Sequence, residues 1–378
     1  MAKKKSGNSR SRSGPKKSIF SPVLCILVVV IAVGGYSMLG IPLIGPLAKT
    51  LRSTVNDWAA KSHADNEANA TQSLEGIDRQ SWSLGFGVNR GVPAQLAATR
   101  RPVDKLLIAS FNIQVLGKSK LAKTDVMPII VQTIRQFDIV AIQEIRAKED
   151  DVLPRLVAML NSDGSRYDFL IGPRLGRSVS TEQYAFVFDS QRVEYDPTSV
   201  GTIGDPGDGL HREPFVARFR PRTSRPDRAF TFWLVNAHTD PDEVPEEIKA
   251  LADVFQVMQA ARSDEDDVIL LGDLNASEKQ MGEFDNIPGI HWVVRSGVKT
   301  NTRQTKAYDN IIFQHPRTSE FTGRWGVFDF GSIFELSREQ ALRVSDHLPV
   351  WAEFQISESP ADGRFAKSPV DSRPWRWK

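Results

Sequence analysis

Six short segments of this chain set a carboxylate, an amide or an imidazole beside an apolar run. They are Ser110-Phe111-Asn112, Ile142-Gln143-Glu144, Asn236-Ala237-His238, Gly272-Asp273-Leu274-Asn275, Tyr308-Asp309-Asn310 and Ser345-Asp346-His347. Acid, amide and imidazole gathered in one place are what a hard divalent cation and an attacking water require. An unpaired carboxylate in a core is too costly, so Glu144, after IVAIQ, reads as a surface ion-pair partner or as a Mg²⁺ ligand. Asp273 and Asn275 are two residues apart and share one face of an extended chain. GDLN on its own is equally a turn; beside the other segments it joins the site. His238 and His347 alone among six histidines stand in such acid and amide settings. His63, His211, His291 and His315 read as linker or surface. Glu182 and Asp309 each lie just ahead of or at the start of a strand. Each is a candidate orienter, because a histidine in acid–base work needs its second nitrogen held by an acceptor.

These groups need strand ends to carry them. LLIASF, IVAIQ, FTFWLVNA, DVILLGD and LPVWAEF are the runs of β-formers that adjoin them. The pattern predicts strands over 106–111, 139–143, 185–188, 216–219, 230–237, 268–272, 309–313 and 349–354. It predicts helices over 126–135, 152–160 and 245–262, the last with Ile248, Leu251, Ala252, Phe255 and Met258 on one face. Strands outnumber helices and several are adjacent, so the expected fold is α/β (α+β), two sheets packed face to face with helices outside. About 250 residues suffice for such a core.

The whole chain has 378 residues, with 48 Lys+Arg against 46 Asp+Glu. A strongly basic nucleic-acid sponge is thereby excluded. Residues 1–18 hold seven Lys or Arg and no acid, so the remainder is net negative. Cys25 is the single cysteine, which rules out an intramolecular disulfide, thiol catalysis and a cysteine-rich zinc site. Between Ile19 and Ala48 there are thirty uncharged residues. A bilayer takes roughly 20, so 19–48 is expected to be a transmembrane helix. The basic residues 1–18 would form a cytoplasmic tail and the rest would lie outside the cytoplasm. A cleaved signal peptide, giving a secreted protein, is the alternative; its apolar core would be shorter, with an A-x-A-like site that is not seen. Residues 49–103 read as juxtamembrane linker, 104–357 as the catalytic domain and 358–378 as a flexible tail.

In order, IASFNIQVLGKSK, DIVAIQEIRAKE, GPRLGRSVSTEQYAFVF, HREPFVARF, DVILLGDLNAS, KAYDNIIF and SDHLPV resemble segments of the endonuclease/exonuclease/phosphatase superfamily, and within it the deoxyribonuclease I branch. GDxN and SDH are shared across that superfamily; FNIQ, LGR, REP and AYD tilt towards the branch. The resemblance implies a four-layer α/β/β/α sandwich and hydrolysis of DNA with Mg²⁺, or Mn²⁺ in its place. It implies metal held by Glu144, with Asn112, Asp273 and Asp346 in or near the coordination sphere, and two pairs, His238 with Glu182 and His347 with Asp309. Asn275 would hold the scissile phosphate, and Arg146, Arg212 and Tyr308 would contact substrate. Asp205, Asp208 and Glu213 are the candidate ligands of a structural Ca²⁺. The loop before AYD has no acid, so a second calcium site is not expected. Ser180 stands where the branch places an aromatic that packs on the sugar. The branch's disulfides are missing, which removes about 2–4 kcal/mol per bridge. Within the same fold the alternative substrate is a phospholipid or another small phosphodiester, consistent with a bilayer anchor. A non-catalytic binding module is the second alternative, against which the full polar set argues.

Overall fold

The structure is a computed structural model that describes residues 101–358 apart from 178–180, 206, 262–264, 296 and 316. The expected membrane segment 19–48, the bulk of the linker and Ser180 lie outside the described residues. Among the described residues no helix is long and apolar enough to cross a membrane.

Among the described residues, thirteen strands form two mixed sheets. The first contains β1 (Lys105–Leu116), β2 (Ile139–Ile145), β3 (Tyr167–Ile171), β4 (Gln183–Asp189), β12 (Phe321–Val327) and β13 (Val350–Gln355), in the order β12-β13-β1-β2-β4-β3. The second contains β5 (Val193–Tyr195), β6 (Gly201–Thr202), β7 (Phe215–Pro221), β8 (Phe232–His238), β9 (Val268–Asp273), β10 (Ile290–Trp292) and β11 (Asp309–Gln314). It runs β10-β11-β9-β8-β7-β5, with β6 also paired to β7.

Alternation along the strands separates three apolar layers. In β1, Leu107, Ala109, Phe111 and Ile113 face helices α1 (Lys118–Leu121), α2 (Met127–Ile134), α3 (Val152–Leu160), α5 (Phe330–Ile333) and α6 (Arg338–Val344), while Leu106 and Ile108 face the other sheet. In β9, Ile269 and Leu271 point between the sheets, and Val268 and Leu270 point at α4 (Val244–Ala260). Period-2 burial on both faces is what a strand covered on each side must show. The result is the expected α/β/β/α order of layers. A polar contact crosses the middle layer: Gln143 Nε2 donates to Asn236 Oδ1 at 2.6 Å, and Asn236 Nδ2 donates to the carbonyls of Ile142 and Ala185 at 3.2 and 3.1 Å. Asn236 is therefore a clamp between sheets, not a rim group.

Arg101, near the end of the expected linker, contacts the catalytic domain: its Nη1 is 2.8 Å from Asp138 Oδ1 and its Nη2 2.5 Å from Asp189 Oδ2, beside the ends of β2 and β4. Two expectations need correction. Strand β12, FTGRWGV, escaped the pattern because two glycines break its run of β-formers. His291 is not a surface residue, since it stacks on Phe313 with centroids 4.9 Å apart and burial lowers its pKa to about 4.

Parallel pairing brings the chemistry to one end. β1 with β2 and β8 with β9 run parallel, so Asn112, Glu144, His238 and Asp273 reach the same rim; β11 runs back from it, with Asp309 registered opposite Asp273. Gly272 makes the close pairing possible. Its φ is +156°, and a Cβ there would lie 1.8 Å from the Ala237 carbonyl oxygen. Gly272→Ala should cost upwards of about 4 kcal/mol and lower Tm by about 8–16 °C. Thermal unfolding in EDTA measures this without any metal contribution, and a shift under about 2 °C would contradict the geometry.

Candidate active site

Both expected histidine–carboxylate pairs form. His238 Nδ1 is 2.8 Å from Glu182 Oε1, and His347 Nδ1 is 2.9 Å from Asp309 Oδ2. All four side chains are buried. The two imidazoles then converge: His238 Nε2 and His347 Nε2 lie 3.5 and 3.4 Å from the same atom, Asp273 Oδ2. Asn112 Nδ2 donates to that oxygen at 2.9 Å and reaches Glu144 Oε1 at 3.3 Å.

The charges explain each other. Burial pushes the His347 pKa down, but the Asp273, Asp309 and Asp346 carboxylates outweigh it and raise it well above the ordinary histidine value. For His238, burial is likewise overcome by Glu182 and Asp273, and its pKa also rises. Burial would raise Asp273, yet the two histidines and the Asn112 amide hold it below the usual carboxylate range. Glu182 is held low against burial by His238, Arg212 and Arg146.

Glu144 does not end its strand as expected. It lies within β2 at φ +61°, facing a bulge of β1 where Val115 has φ +48°. The Val115 N–H donates to Glu144 Oε2 at 2.9 Å. A positive φ at a β-branched residue is strained, and such strain collects where a site fixes its geometry. Asn275 also has a positive φ, +46°. Its N–H donates to Asp273 Oδ1 at 3.1 Å and its Nδ2 to the Thr239 carbonyl at 2.9 Å, which fixes the amide at the rim.

Several further residues hold this set. Thr300 Oγ1 donates to Asp309 Oδ2 at 2.7 Å and accepts from the Tyr308 N–H at 2.9 Å. Tyr308 stands beside His347, ring centroids 5.9 Å apart. Tyr184 OH accepts from the His238 N–H at 3.2 Å. The Ser345 hydroxyl donates to the Asn112 carbonyl at 2.8 Å. Glu247, buried in α4, accepts from the N–H groups of His211 and Asp240 and so fixes the loops on either side of His238. Lys120 is buried, and its Nζ donates to the Val344 carbonyl at 2.8 Å. Burial and Lys123 bring its pKa down to about 8 against the pull of Asp346 and Glu144. Of these, Thr300, Tyr184, Glu247 and Lys120 have no sequence signal beyond a polar residue near a motif.

Two expected roles change. Arg212 is buried, with Nε 3.0 Å from Glu182 Oε1 and Nη2 donating to the His238 carbonyl at 3.1 Å. It braces the His238–Glu182 pair from beneath instead of meeting a phosphate. The calcium trio does not assemble: Asp205 Oδ2 accepts from the Leu210 N–H at 2.6 Å, Asp208 Oδ1 pairs with Arg177 at 3.1 Å, and Glu213 converges on neither. Arg146 is where it was expected, half-buried at the rim, its Nη2 3.4 Å from Glu182 Oε2 and 3.6 Å from Glu144 Oε2.

A profile of the endonuclease/exonuclease/phosphatase family matches residues 109–347, which hold every group just described. The chain belongs to this family. It sides with the deoxyribonuclease I branch: it is 36% identical over 265 residues to deoxyribonuclease-1-like 1 of Homo sapiens, covering 67% of this chain and 85% of that one. It is 33% identical to deoxyribonuclease gamma of Rattus norvegicus over 70% of this chain and 88% of that one. Among solved structures, the humanized D. rerio TDP2 aligns at 18% identity with a TM-score of 0.47, covering 67% of this chain and 99% of that one. The chain is a hydrolase acting on phosphoric ester bonds.

The residues present also fit the divalent cation that the family implies. Asn112 Oδ1 and Asp346 Oδ1 are buried with no hydrogen-bond partner, and Asp273, Asp309 and His347 bring ligand atoms within 4.8 Å of one another. Unsatisfied buried oxygens beside an acidic cluster are the donor set of a hard cation.

Proposed function

We propose that this chain is a Mg²⁺-dependent endonuclease of the deoxyribonuclease I type that hydrolyses DNA. The observation that carries the reading is the convergence of two buried histidine–carboxylate pairs on one carboxylate oxygen, Asp273 Oδ2. A phosphodiester between two such imidazoles meets a proton acceptor on one side and a donor on the other. One Nε2 takes the proton of the attacking water, and the second gives a proton to the oxygen that leaves phosphorus. Glu182 and Asp309 hold the opposite nitrogens, fixing tautomer and ring orientation and stabilising each imidazolium. Asn275 offers an amide to the phosphoryl oxygens. Glu144, Asn112 and Asp346 would hold Mg²⁺, which when bound supplies positive charge against the phosphoryl group.

A long polyanion is favoured by what lies beside the rim. A groove of about 860 Å³ runs from Asn275 and Tyr308 past Lys279, Arg295, Lys299 and Lys306. Cations along a groove contact backbone phosphates, which position a duplex without reading its sequence. We further propose that residues 19–48 hold the enzyme at a membrane with its catalytic domain outside the cytoplasm, a reading supported by thirty uncharged residues behind a basic tail.

Plasmid nicking with Mg²⁺, with and without EDTA, beside sphingomyelin hydrolysis, tests the substrate class. Nicking that EDTA abolishes is expected, with little lipid turnover. The double variant Lys299→Ala/Lys306→Ala should weaken duplex binding and reduce the slope of log K against log salt by about 0.9 for each phosphate no longer neutralised. An unchanged slope, with lipid hydrolysed faster than plasmid, would replace DNA with a small phosphodiester.

A further inference from the structure

A single turn of chain serves both the catalytic rim and the groove beside it. Residues 299–308 lead into Asp309, and part of that stretch lies along the Ser345-Asp346-His347 segment. The Thr302 N–H donates to the Asp346 carbonyl at 2.8 Å and the Leu348 N–H to the Thr300 carbonyl at 2.7 Å. Between these two bonds Asn301 and His347 pair as an antiparallel bridge. Thr302 Oγ1 donates to the Ser345 carbonyl at 2.7 Å. The backbone that carries Asp346 and His347 is therefore laid directly against this turn.

One side chain closes the turn. Asn301 Oδ1 accepts from the Thr305 N–H and from the Lys306 N–H, each at 2.8 Å, and Asn301 Nδ2 donates to Thr305 Oγ1 at 2.9 Å. The Lys306 carbonyl in return accepts from the N–H groups of Thr300 at 2.9 Å and Asn301 at 3.3 Å. At the tip, Gln304 has φ +58°, a conformation that a glutamine seldom adopts without such anchorage. Thr300 and Asn301 are buried, whereas Thr305 and Lys306 are exposed. The buried amide thus fixes an exposed strip of chain.

That strip faces the groove. Lys299, Thr305 and Lys306 line it together with Asn275 and Tyr308. Lysine is a point charge on a flexible stem, so the place of its Cα decides which phosphate it reaches. Asn301 sets the Cα positions of both lysines relative to the His347 backbone.

We propose that Asn301 is a positioning residue that sets substrate preference. By holding the turn closed it keeps Lys299 and Lys306 in register with His347. A strand bearing successive phosphates is then gripped at the lysines while one of its phosphodiesters meets the imidazole. A small phosphodiester has no second phosphate to place on the lysines and gains nothing from that register. This role rests on the reading of the groove as a DNA site.

The test compares kcat/KM on duplex DNA with kcat/KM on bis(p-nitrophenyl) phosphate, in Mg²⁺, using the full-length chain. Asn301→Ala should lower the ratio of the first to the second by about 10–10²-fold, the scale expected when bound groups shift by about 1 Å from the reacting atoms. The salt dependence of duplex cleavage should flatten with it. Thr305→Val, at an exposed position, removes only the hydroxyl that Asn301 Nδ2 meets and should lower the ratio by a smaller factor. In the Lys299→Ala/Lys306→Ala background, Asn301→Ala should change the ratio little further, because the groups it places are gone. A turn that only stabilises the fold, or only holds His347, would slow both substrates alike. An unchanged ratio in Asn301→Ala therefore overturns the proposal; if that variant does not fold, an unchanged ratio in Thr305→Val does so. A full additional loss in the background lacking both lysines also overturns it. Wild-type protein that hydrolyses the small ester but not the duplex would sink the DNA reading itself, and this role with it.

Discussion

Alanine at His238 or at His347 should lower the rate of phosphodiester hydrolysis by about 10²–10⁴-fold in each case, because each removes one general acid–base step. The fold should persist. Each ring contacts mainly carboxylates and its own loop, and no apolar layer depends on it. The same variants carry a second signature, read in stability instead of rate. In metal-free protein both histidines have pKa values raised above 6.5, His347 well above. Between 6.5 and the raised value the folded state binds protons that the unfolded state has lost. The histidines therefore contribute stability that is complete below pH 6.5 and is lost as pH rises through the folded pKa. Wild-type stability in EDTA should fall with rising pH across that window, and His347→Ala should flatten the fall. Denaturant melts at several pH values, run beside rate measurements, report both effects. Either variant keeping more than about a tenth of the wild-type rate would exclude a mechanism that needs both imidazoles.

The rim was legible in the sequence because parallel strands deliver their ends together. A polar residue straight after IVAIQ, FWLVNA or VILLG has nowhere to go but that edge, and the layered fold followed from the same alternation. The pairing of His238 with Glu182 and of His347 with Asp309 was available only through the family resemblance, since 56 and 38 residues separate the partners. Braces were not legible. Thr300, Tyr184 and Glu247 act through one hydroxyl or carboxylate aimed at a particular neighbour, and nothing in periodicity or spacing marks such an aim. Arg212 shows the opposite error. Its motif was read correctly, but a guanidinium near a phosphate site satisfies the same motif whether it faces the substrate or lies beneath the histidine, and burial decided the matter. The calcium trio failed for a related reason: three acids in a glycine-rich loop resemble a cation site until Arg177 is seen to reach Asp208 from a distant segment.

Glu144→Gln should remove metal dependence and rate together. The carboxylate is held in a strained setting, with positive φ at Glu144 and at Val115, and that strain fixes where its oxygens point. Oε2 accepts the Val115 N–H at 2.9 Å, and Oε1 lies 3.3 Å from Asn112 Nδ2. Glutamine keeps the volume and one acceptor, so the fold tolerates it. Its amide must then turn an NH₂ towards either the Val115 N–H or the Asn112 amide, two donors facing each other. The charge that balances Arg146 at 3.6 Å also disappears. A neutral amide so placed is a poor Mg²⁺ ligand, and the loss expected is on the order of 10²–10³ in kcat. Calorimetric titration with Mg²⁺ separates ligation from mere disturbance of the rim, because Asn112→Ala leaves the Glu144 charge in place and should weaken Mg²⁺ less than Glu144→Gln does. Unchanged Mg²⁺ affinity in Glu144→Gln would remove this carboxylate from the ligand set and leave Asp273 and Asp346 as the charged groups able to hold the ion.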